Sequence, residues 1–152
     1  MQERLIQIGD WMKVNNESIY NTVRWKHPEQ WSAGKRDYKP VRKEGDFKAG
    51  GDYMLKITID PEPGYAVKEV FFTYNPTSNT LYAILPTFPA DKKLLLKDIV
   101  LPASARVSLL GSTDKVIVKT SGNNTSIQLP EYKPASFKAP YAFVVKIEGY
   151  GK

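Results

Sequence analysis

Short segments that favour β-strands follow one another from residue 53 almost to the end of the chain. They are rich in β-branched, aliphatic and aromatic residues, and clusters of Pro, Gly, Asn, Asp, Ser and Thr separate them at intervals of roughly ten residues. This spacing is typical of antiparallel sandwiches, and the lack of helical patterns between the segments argues against a parallel α/β sheet. The predicted strands are residues 53–59, 67–74, 79–85, 93–100, 106–110, 115–120, 125–129 and 141–147.

A stripe of apolar side chains at helical spacing opens the chain. Leu5, Ile8, Trp11 and Met12 recur on one face of a predicted amphipathic helix. The Asn pair at 15–16 predicts its end, because Asn tolerates the left-handed backbone conformation found at helix ends. The stripe is broad for so short a helix, so we expect it to need a partner surface.

Residues 23–51 lack such periodicity and carry most of the positive charge. Eight basic and four acidic side chains between residues 22 and 50 account for +4 of the formal net charge of +6. Long irregular segments are uncommon in compact domains and are often linking or functional. We therefore predict a helix in 1–22, an irregular basic connector in 23–51, and in 52–152 an all-β, antiparallel, two-sheet and Greek-key-like β-sandwich of about eight strands.

Residue types that most catalytic sites require are scarce in this chain. It has no cysteine and one histidine, which excludes thiolate metal sites, cysteine nucleophiles and any site with two imidazoles. The carboxylates of the β region lie mostly in or beside turns, and their spacing singles out no glycosidase pair. Phosphate-binding loops, dinucleotide fingerprints and metal-ligand spacing do not occur. The residues alone predict a non-catalytic β domain without a cofactor or a metal.

The aromatic residues of the connector are the candidate binding residues. Trp25, His27, Trp31, Arg36 and Tyr38 have the chemistry of a carbohydrate platform, on which rings stack and charged groups bind hydroxyls. The alternative is that these aromatics pin the connector to the domain. A nucleic-acid surface is not favoured, because acidic residues dilute the basic patch. No apolar run approaches the roughly 20 residues that cross a membrane, so no membrane partner is predicted.

The first residues also carry a specific motif. Residues 4–22 read RLIQIGDWMKVNNESIYNT. This string resembles the end of the catalytic barrel in α-L-fucosidases of glycoside hydrolase family 29, where R-L-x-x-I-G-x-W-L-x-x-N-G-E-x-I-Y-x-T closes the last barrel helix. The chain departs from it at Met12, Asn16 and Ser18, and all three replacements are mild.

The β region resembles the C-terminal domain of the same family. FFTY at residues 71–74 and NTLYAI at 79–84 look like a hairpin of that domain. Similar segments follow in order at 96–99, 107–112 and 141–147. The resemblance covers almost the whole chain and is weakest between residues 26 and 51.

The resemblance implies a non-catalytic accessory domain that braces a fucosidase catalytic barrel in the same protein. The family's enzymes are retaining, and their Asp nucleophile and acid/base residue lie upstream of the closing helix, so no catalytic residue is carried over. Leu5, Ile8, Trp11 and Met12 are then the barrel-docking candidates, and in isolation they favour self-association through the helix. The resemblance also suggests export, to a periplasm, the extracellular space or a lysosome. Two other functions remain open: an autonomous carbohydrate-binding module that uses residues 25–38, and a protein-docking domain.

Overall fold

The computed structural model of the chain describes residues 2–39, 49–133 and 141–151. Two α-helices, one 3-10 helix and eight strands make up this part of the chain. In chain order they are α1 (Gln2–Asn15), the 3-10 helix (Asn16–Ser18), β1 (Val23–Trp31), α2 (Ala49–Lys56), β2 (Lys68–Asn75), β3 (Thr80–Leu85), β4 (Lys93–Leu96), β5 (Arg106–Leu109), β6 (Ile117–Ser121), β7 (Asn124–Gln128) and β8 (Phe143–Glu148).

The strands form two antiparallel sheets. Five of them pair in the order β1-β2-β3-β8-β5, and the other three pair in the order β4-β7-β6. After β3 the chain crosses to the smaller sheet, returns for β5, crosses again for β6 and β7, and comes back for β8. The predicted all-β, two-sheet architecture of about eight strands with one N-terminal helix is thereby confirmed.

The hydrophobic core lies between the sheets. Alternate residues of β2, β3 and β8 point into it, as the two-residue period of a strand requires. The side chains of β4 and β7 meet them from the smaller sheet. Fully or almost fully buried members of this core are Val70, Phe72, Leu81, Ala83, Leu85, Leu94, Leu96, Ile127, Val145 and Ile147.

One predicted strand is wrong. Residues 53–59 do not join a sheet, because helix α2 runs into this segment and a turn completes it. The alternation of Leu55, Ile57 and Ile59 favoured a strand, yet only Ile57 is buried, while the other two are about half exposed. A short apolar run fits either a helix or a strand. Here a hydrogen bond from the Ile57 N–H to the carbonyl of Tyr53 continues the helical pattern.

The irregular connector is also wrong in its first part, because β1 forms there. Residues 23–31 pair with β2 at the edge of the larger sheet, with register shifts after Arg24 and after Gln30. Pro28 is tolerated because an edge strand has one unpaired side. Charged residues and these irregularities concealed the alternation that marks a strand. The part of the connector between residues 40 and 48 lies outside the described residues.

Candidate functional site

Helix α1 leaves much of its apolar face uncovered. Leu5 is 65% exposed and Ile8 is 59% exposed. Trp11 and Met12, one turn further along, are half-buried. The predicted stripe therefore packs against the sandwich only at its C-terminal end, and its N-terminal end faces solvent. An exposed patch of this kind is typical of an interaction surface.

Trp11 attaches the C-terminal half of the helix to the sandwich. Its indole N–H donates a hydrogen bond of 3.0 Å to the carbonyl of Ala142, just before β8. The side-chain amide of Asn15 in turn donates to the carbonyl of Trp11, one helical turn back. This hydrogen bond attaches the helix to the chain just before β8.

The 3-10 helix after α1 makes a second attachment, which we call the tether. It consists of Glu17 and Ser18 with three residues of the larger sheet: Thr73, Tyr82 and Lys146. The hydroxyl of Thr73 donates to the Ser18 carbonyl at 2.6 Å, and the phenol of Tyr82 donates to the Glu17 carboxylate at 3.0 Å. The ammonium of Lys146 lies 2.7 Å from the same carboxylate.

The three sheet residues of the tether lie in one row. Thr73 pairs with Tyr82 across β2 and β3, and Tyr82 pairs with Lys146 across β3 and β8. Residues paired across neighbouring strands point to the same face of a sheet. The row lies on the outer face, away from the core, so a single turn of the chain contacts three strands there.

Burial and charge raise two pKa values in the tether. The pKa of Lys146 lies above its ordinary value, chiefly because its ammonium donates a hydrogen bond to Glu17. Burial of the Tyr82 phenol, together with its hydrogen bond to Glu17, raises the pKa of that group well above the usual range. Both groups are therefore protonated at neutral pH and can donate to the Glu17 carboxylate.

A shallow cavity of about 370 Å³ adjoins the exposed part of α1. It lies between the helix and the chain just before β8, and the helix residue Ile8 and the sandwich residue Tyr141 both contribute to its wall. The ring of Tyr141 is 59% exposed. The residues that line the cavity are Arg4, Gln7, Ile8, Trp11, Tyr141 and Ala142.

The five carbohydrate-binding candidates do not form one platform. Trp25 is buried, and its ring packs against Phe72 and Tyr150. His27 is exposed and lies edge-on to Trp25, with ring centroids 5.5 Å apart. Trp25 thus belongs to the core. This placement agrees with the alternative interpretation, in which the aromatic residues hold this segment against the domain.

The other three candidates make different contacts. Trp31 is half-buried, with the Arg36 guanidinium 5.5 Å and the Lys68 ammonium 5.3 Å from its ring centroid. The ring of Tyr38 is stacked on Tyr53 at an interplanar angle of 22° and packs edge-on to Tyr65. Trp31 and Arg36 are therefore a close pair of candidates that both keep exposed surface, whereas in the pair Trp25 and His27 the tryptophan is buried.

Two other kinds of site do not occur in residues 2–39, 49–133 and 141–151. Within them, no group of three or more His, Cys, Asp or Glu side chains is placed to hold a metal ion. None of the helices found in these ranges is both long and apolar enough to span a bilayer.

Sequence reasoning missed two parts of the site, Tyr141 and the tether. Tyr141 was predicted as the first residue of a strand, but it lies two residues before β8 and beside α1. Glu17 stands in the quoted motif, and Lys146 is a polar residue within an apolar strand. That polar interruption marks an outward-facing position, although a sequence does not show which residue lies opposite it.

These features define the chain as a two-sheet β-sandwich domain with an N-terminal helix that offers an uncovered apolar face. The family model for the alpha-L-fucosidase C-terminal domain matches residues 65–148, which is more than half of the chain. The chain belongs to this family.

Relatives extend the match beyond those residues. The alpha-L-fucosidase of Dictyostelium discoideum is 20% identical over 153 aligned positions, and the tissue alpha-L-fucosidase of Homo sapiens is 22% identical over 149. Each alignment covers 97% of this chain but only 25% and 24% of the relative. The chain thus spans about a quarter of the length of these relatives.

Solved structures show the same fold. The alpha-fucosidase of Thermotoga maritima, crystallised with and without fucose, superposes on 95% of this chain with a TM-score of 0.56 and 18% sequence identity. The match covers 26% of the Thermotoga chain. The shared architecture includes the helix as well as the sandwich, because nearly the whole of this chain is aligned.

Proposed function

We propose that the chain is a non-catalytic accessory domain that braces the catalytic domain of an α-L-fucosidase-like glycoside hydrolase. In this proposal the catalytic domain hydrolyses terminal α-L-fucosyl linkages by a retaining mechanism, with both of its carboxylates outside this chain. The catalytic domain is the partner in cis, and the export expected from the family resemblance belongs to the same proposal.

The uncovered face of α1 is the observation that carries this function. The helix is held to the sandwich at Trp11 and at Glu17, while Leu5 and Ile8 remain largely exposed to solvent. Burying an aliphatic side chain of this size contributes about 1.5–3 kcal/mol relative to leaving it exposed. A neighbouring domain packed on this face would gain that contribution, and the two attachments would transmit the contact to the larger sheet.

Binding in trans tests the docking role. The purified chain is mixed with the separately expressed catalytic domain from the same source, and binding is followed by calorimetry. We expect saturable binding that Ile8→Glu weakens at least tenfold, because a carboxylate then faces an apolar partner. The matched control is Ile117→Glu, since Ile117 is equally exposed, at 59%, but lies on β6 of the smaller sheet.

Two results would contradict the proposal. Equal binding by the Ile8→Glu chain and the unmodified chain would show that α1 is not the docking face. Hydrolysis of an aryl α-L-fucoside by the purified chain alone would show that it is catalytic.

A second candidate function, carbohydrate binding, is supported by one observation. Trp31 remains half-exposed beside the exposed Arg36, a pairing suited to a sugar ring and its hydroxyls. Titration with fucose and fucosylated oligosaccharides, followed by NMR, tests it. Saturable shifts confined to the neighbourhood of these two residues, and lost in Trp31→Ala, are expected if the chain binds glycan. An unchanged spectrum would limit the chain to docking.

A further inference from the structure

We infer that the docking surface extends beyond helix α1, across one end of the sandwich, along an apolar band formed by Ile8, Tyr141, Ile59 and Leu95. The inference rests on the proposed function, because the occupant is the catalytic domain. It adds the residues of the sandwich that contact the catalytic domain, which the helix motif does not predict. The partner surface that fits it is apolar and carries side chains that protrude into three depressions.

The three depressions are connected by the residues that line them. The first is the cavity of about 370 Å³ beside α1, and Tyr141 forms part of its wall. Tyr141 also lines a second depression of about 620 Å³. The second shares Ile59 and the loop 86–90 with a third depression of about 640 Å³, which reaches Leu95 on β4.

The side chains of the band are open to solvent to a similar degree. Ile8 and Tyr141 are each 59% exposed, Ile59 is 52% exposed and Leu95 is 45% exposed. Single exposed apolar residues are normal on protein surfaces, but contiguous ones that line concave surface mark interaction sites. Phe88 lines both the second and the third depression, and its ring packs on the core residue Phe143. The band is therefore connected to the hydrophobic core through this ring.

Size argues that the helix alone is too small for a stable interface. At 1.5 Å per residue, the 14 residues of α1 extend over about 21 Å, and a helix is about 10 Å wide. The exposed face is then a strip of a few hundred Å², whereas a stable interface buries about 800 Å² on each partner. The band beyond α1 supplies the additional surface, and it is continuous with the helix.

Charged groups lie beside the apolar side chains along the band. Arg4 lies at the helix end, Lys92 and Glu131 line the second depression, and Lys93 and Asp91 lie at the β4 end. Lys97 also borders that end, but Glu69 holds its ammonium at 2.7 Å. An apolar centre with a charged border is the usual anatomy of an interface between proteins.

Site-specific photo-cross-linking tests the inference. The cross-linking amino acid p-benzoylphenylalanine replaces Ile59, Leu95, Ile8 or Ile117, one at a time, in the full chain. Each chain is illuminated with and without the separately expressed catalytic domain from the same source. We expect cross-links to the catalytic domain from Ile59, Leu95 and Ile8, and none from Ile117, which is as exposed as Ile8 but lies on β6.

The outcomes separate this inference from the function on which it rests. Cross-links from Ile8 without any from Ile59 and Leu95 would overturn the inference and leave docking through α1 intact. Cross-links from none of the positions would overturn both. Cross-linked dimers of the chain that form at Ile59 or Leu95 and persist when the catalytic domain is in excess would assign the band to a second copy, and would also overturn the inference.

Discussion

Gln30 joins the two sheets through its side-chain amide. This residue of β1 is 7% exposed, and its amide nitrogen donates to the carbonyl of Leu95 at 2.7 Å. Its amide oxygen accepts from the backbone N–H of Lys97 at 2.8 Å, and the nitrogen also donates to Glu69. The amide therefore pairs with β4 as a peptide group of a neighbouring strand would.

Replacing that amide by a carboxylate should destabilise the domain. In Gln30→Glu the new oxygen faces the Leu95 carbonyl and the Glu69 carboxylate and has no proton to donate. We expect the free energy of unfolding, measured with urea, to fall by about 1–3 kcal/mol. The control is Gln128→Glu, since Gln128 donates to the Lys92 carbonyl in a more exposed setting. A loss in Gln30→Glu no larger than in the control would contradict this account.

Two glycines should respond in opposite directions to a change to alanine. A Cβ on Gly34, whose φ is +131°, would lie 2.7 Å from the backbone nitrogen of Ala66 and 2.8 Å from the Tyr65 carbonyl carbon. Strain of this kind costs about 1–3 kcal/mol. A Cβ on Gly9 in α1 meets nothing within 4 Å, so the better helix propensity of alanine should stabilise by up to about 1 kcal/mol.

Urea unfolding of Gly34→Ala and Gly9→Ala checks both signs. A stable Gly34→Ala chain would show that the close approach of residues 34 and 66 is adjustable. A destabilised Gly9→Ala chain would contradict the expectation that a methyl group is accommodated at this helix position.

At the level of elements, the tether should weaken at alkaline pH. The pKa values of Tyr82 and Lys146 are raised, so the folded protein holds these protons more tightly than the unfolded chain does. Burial also raises the pKa of Tyr150. Stability that is fully present below pH 10, the ordinary value for tyrosine, is then lost as the pH rises through the raised values.

Urea unfolding at neutral pH and at several values above pH 10 measures this loss. We expect Tyr82→Phe to lose less stability than the unmodified chain between these conditions, because it has no phenol proton at this site. Tyr141→Phe, which changes an exposed ring, should follow the unmodified chain. Identical pH profiles for all three chains would show that the tether does not carry the effect.

The elements were predictable where side-chain alternation faces a core. Alternate positions of β3 and β8 read as strands from sequence because Leu81, Ala83, Val145 and Ile147 all point inward. Residues 53–59 have the same alternation of apolar residues, but Leu55 and Ile59 face solvent. Alternation alone does not show whether the apolar side chains are buried. At β1, charged residues on an irregular edge strand hid the pattern.

For the whole molecule, the uncovered helix predicts association when no catalytic domain is present. Two copies that pack their α1 faces together would bury Leu5 and Ile8, which are the exposed members of the stripe. Sedimentation velocity over a wide concentration range should show a reversible shift towards dimer. Ile8→Glu should abolish the shift, and Ile117→Glu should leave it unchanged. A sedimentation coefficient independent of concentration would contradict the prediction.

The candidate site was predictable only in part. The motif in residues 4–22 predicts a docking role for the helix, because that string is specific. The carbohydrate candidates were chosen by residue chemistry, and that chemistry does not distinguish a ring in the core, as at Trp25, from a ring beside solvent, as at Trp31. The band across the sandwich depends on contacts between distant segments, so no local pattern marks it.

The row arrangement of the tether has a mechanical consequence. A pull on α1 along the strands loads the contacts at Thr73, Tyr82 and Lys146 at the same time, so the attachment is strained in shear. An attachment to one strand would instead peel away one bond after another. A domain attached to this helix would therefore move with the larger sheet as a rigid body. Its motion relative to the sandwich would have a small amplitude.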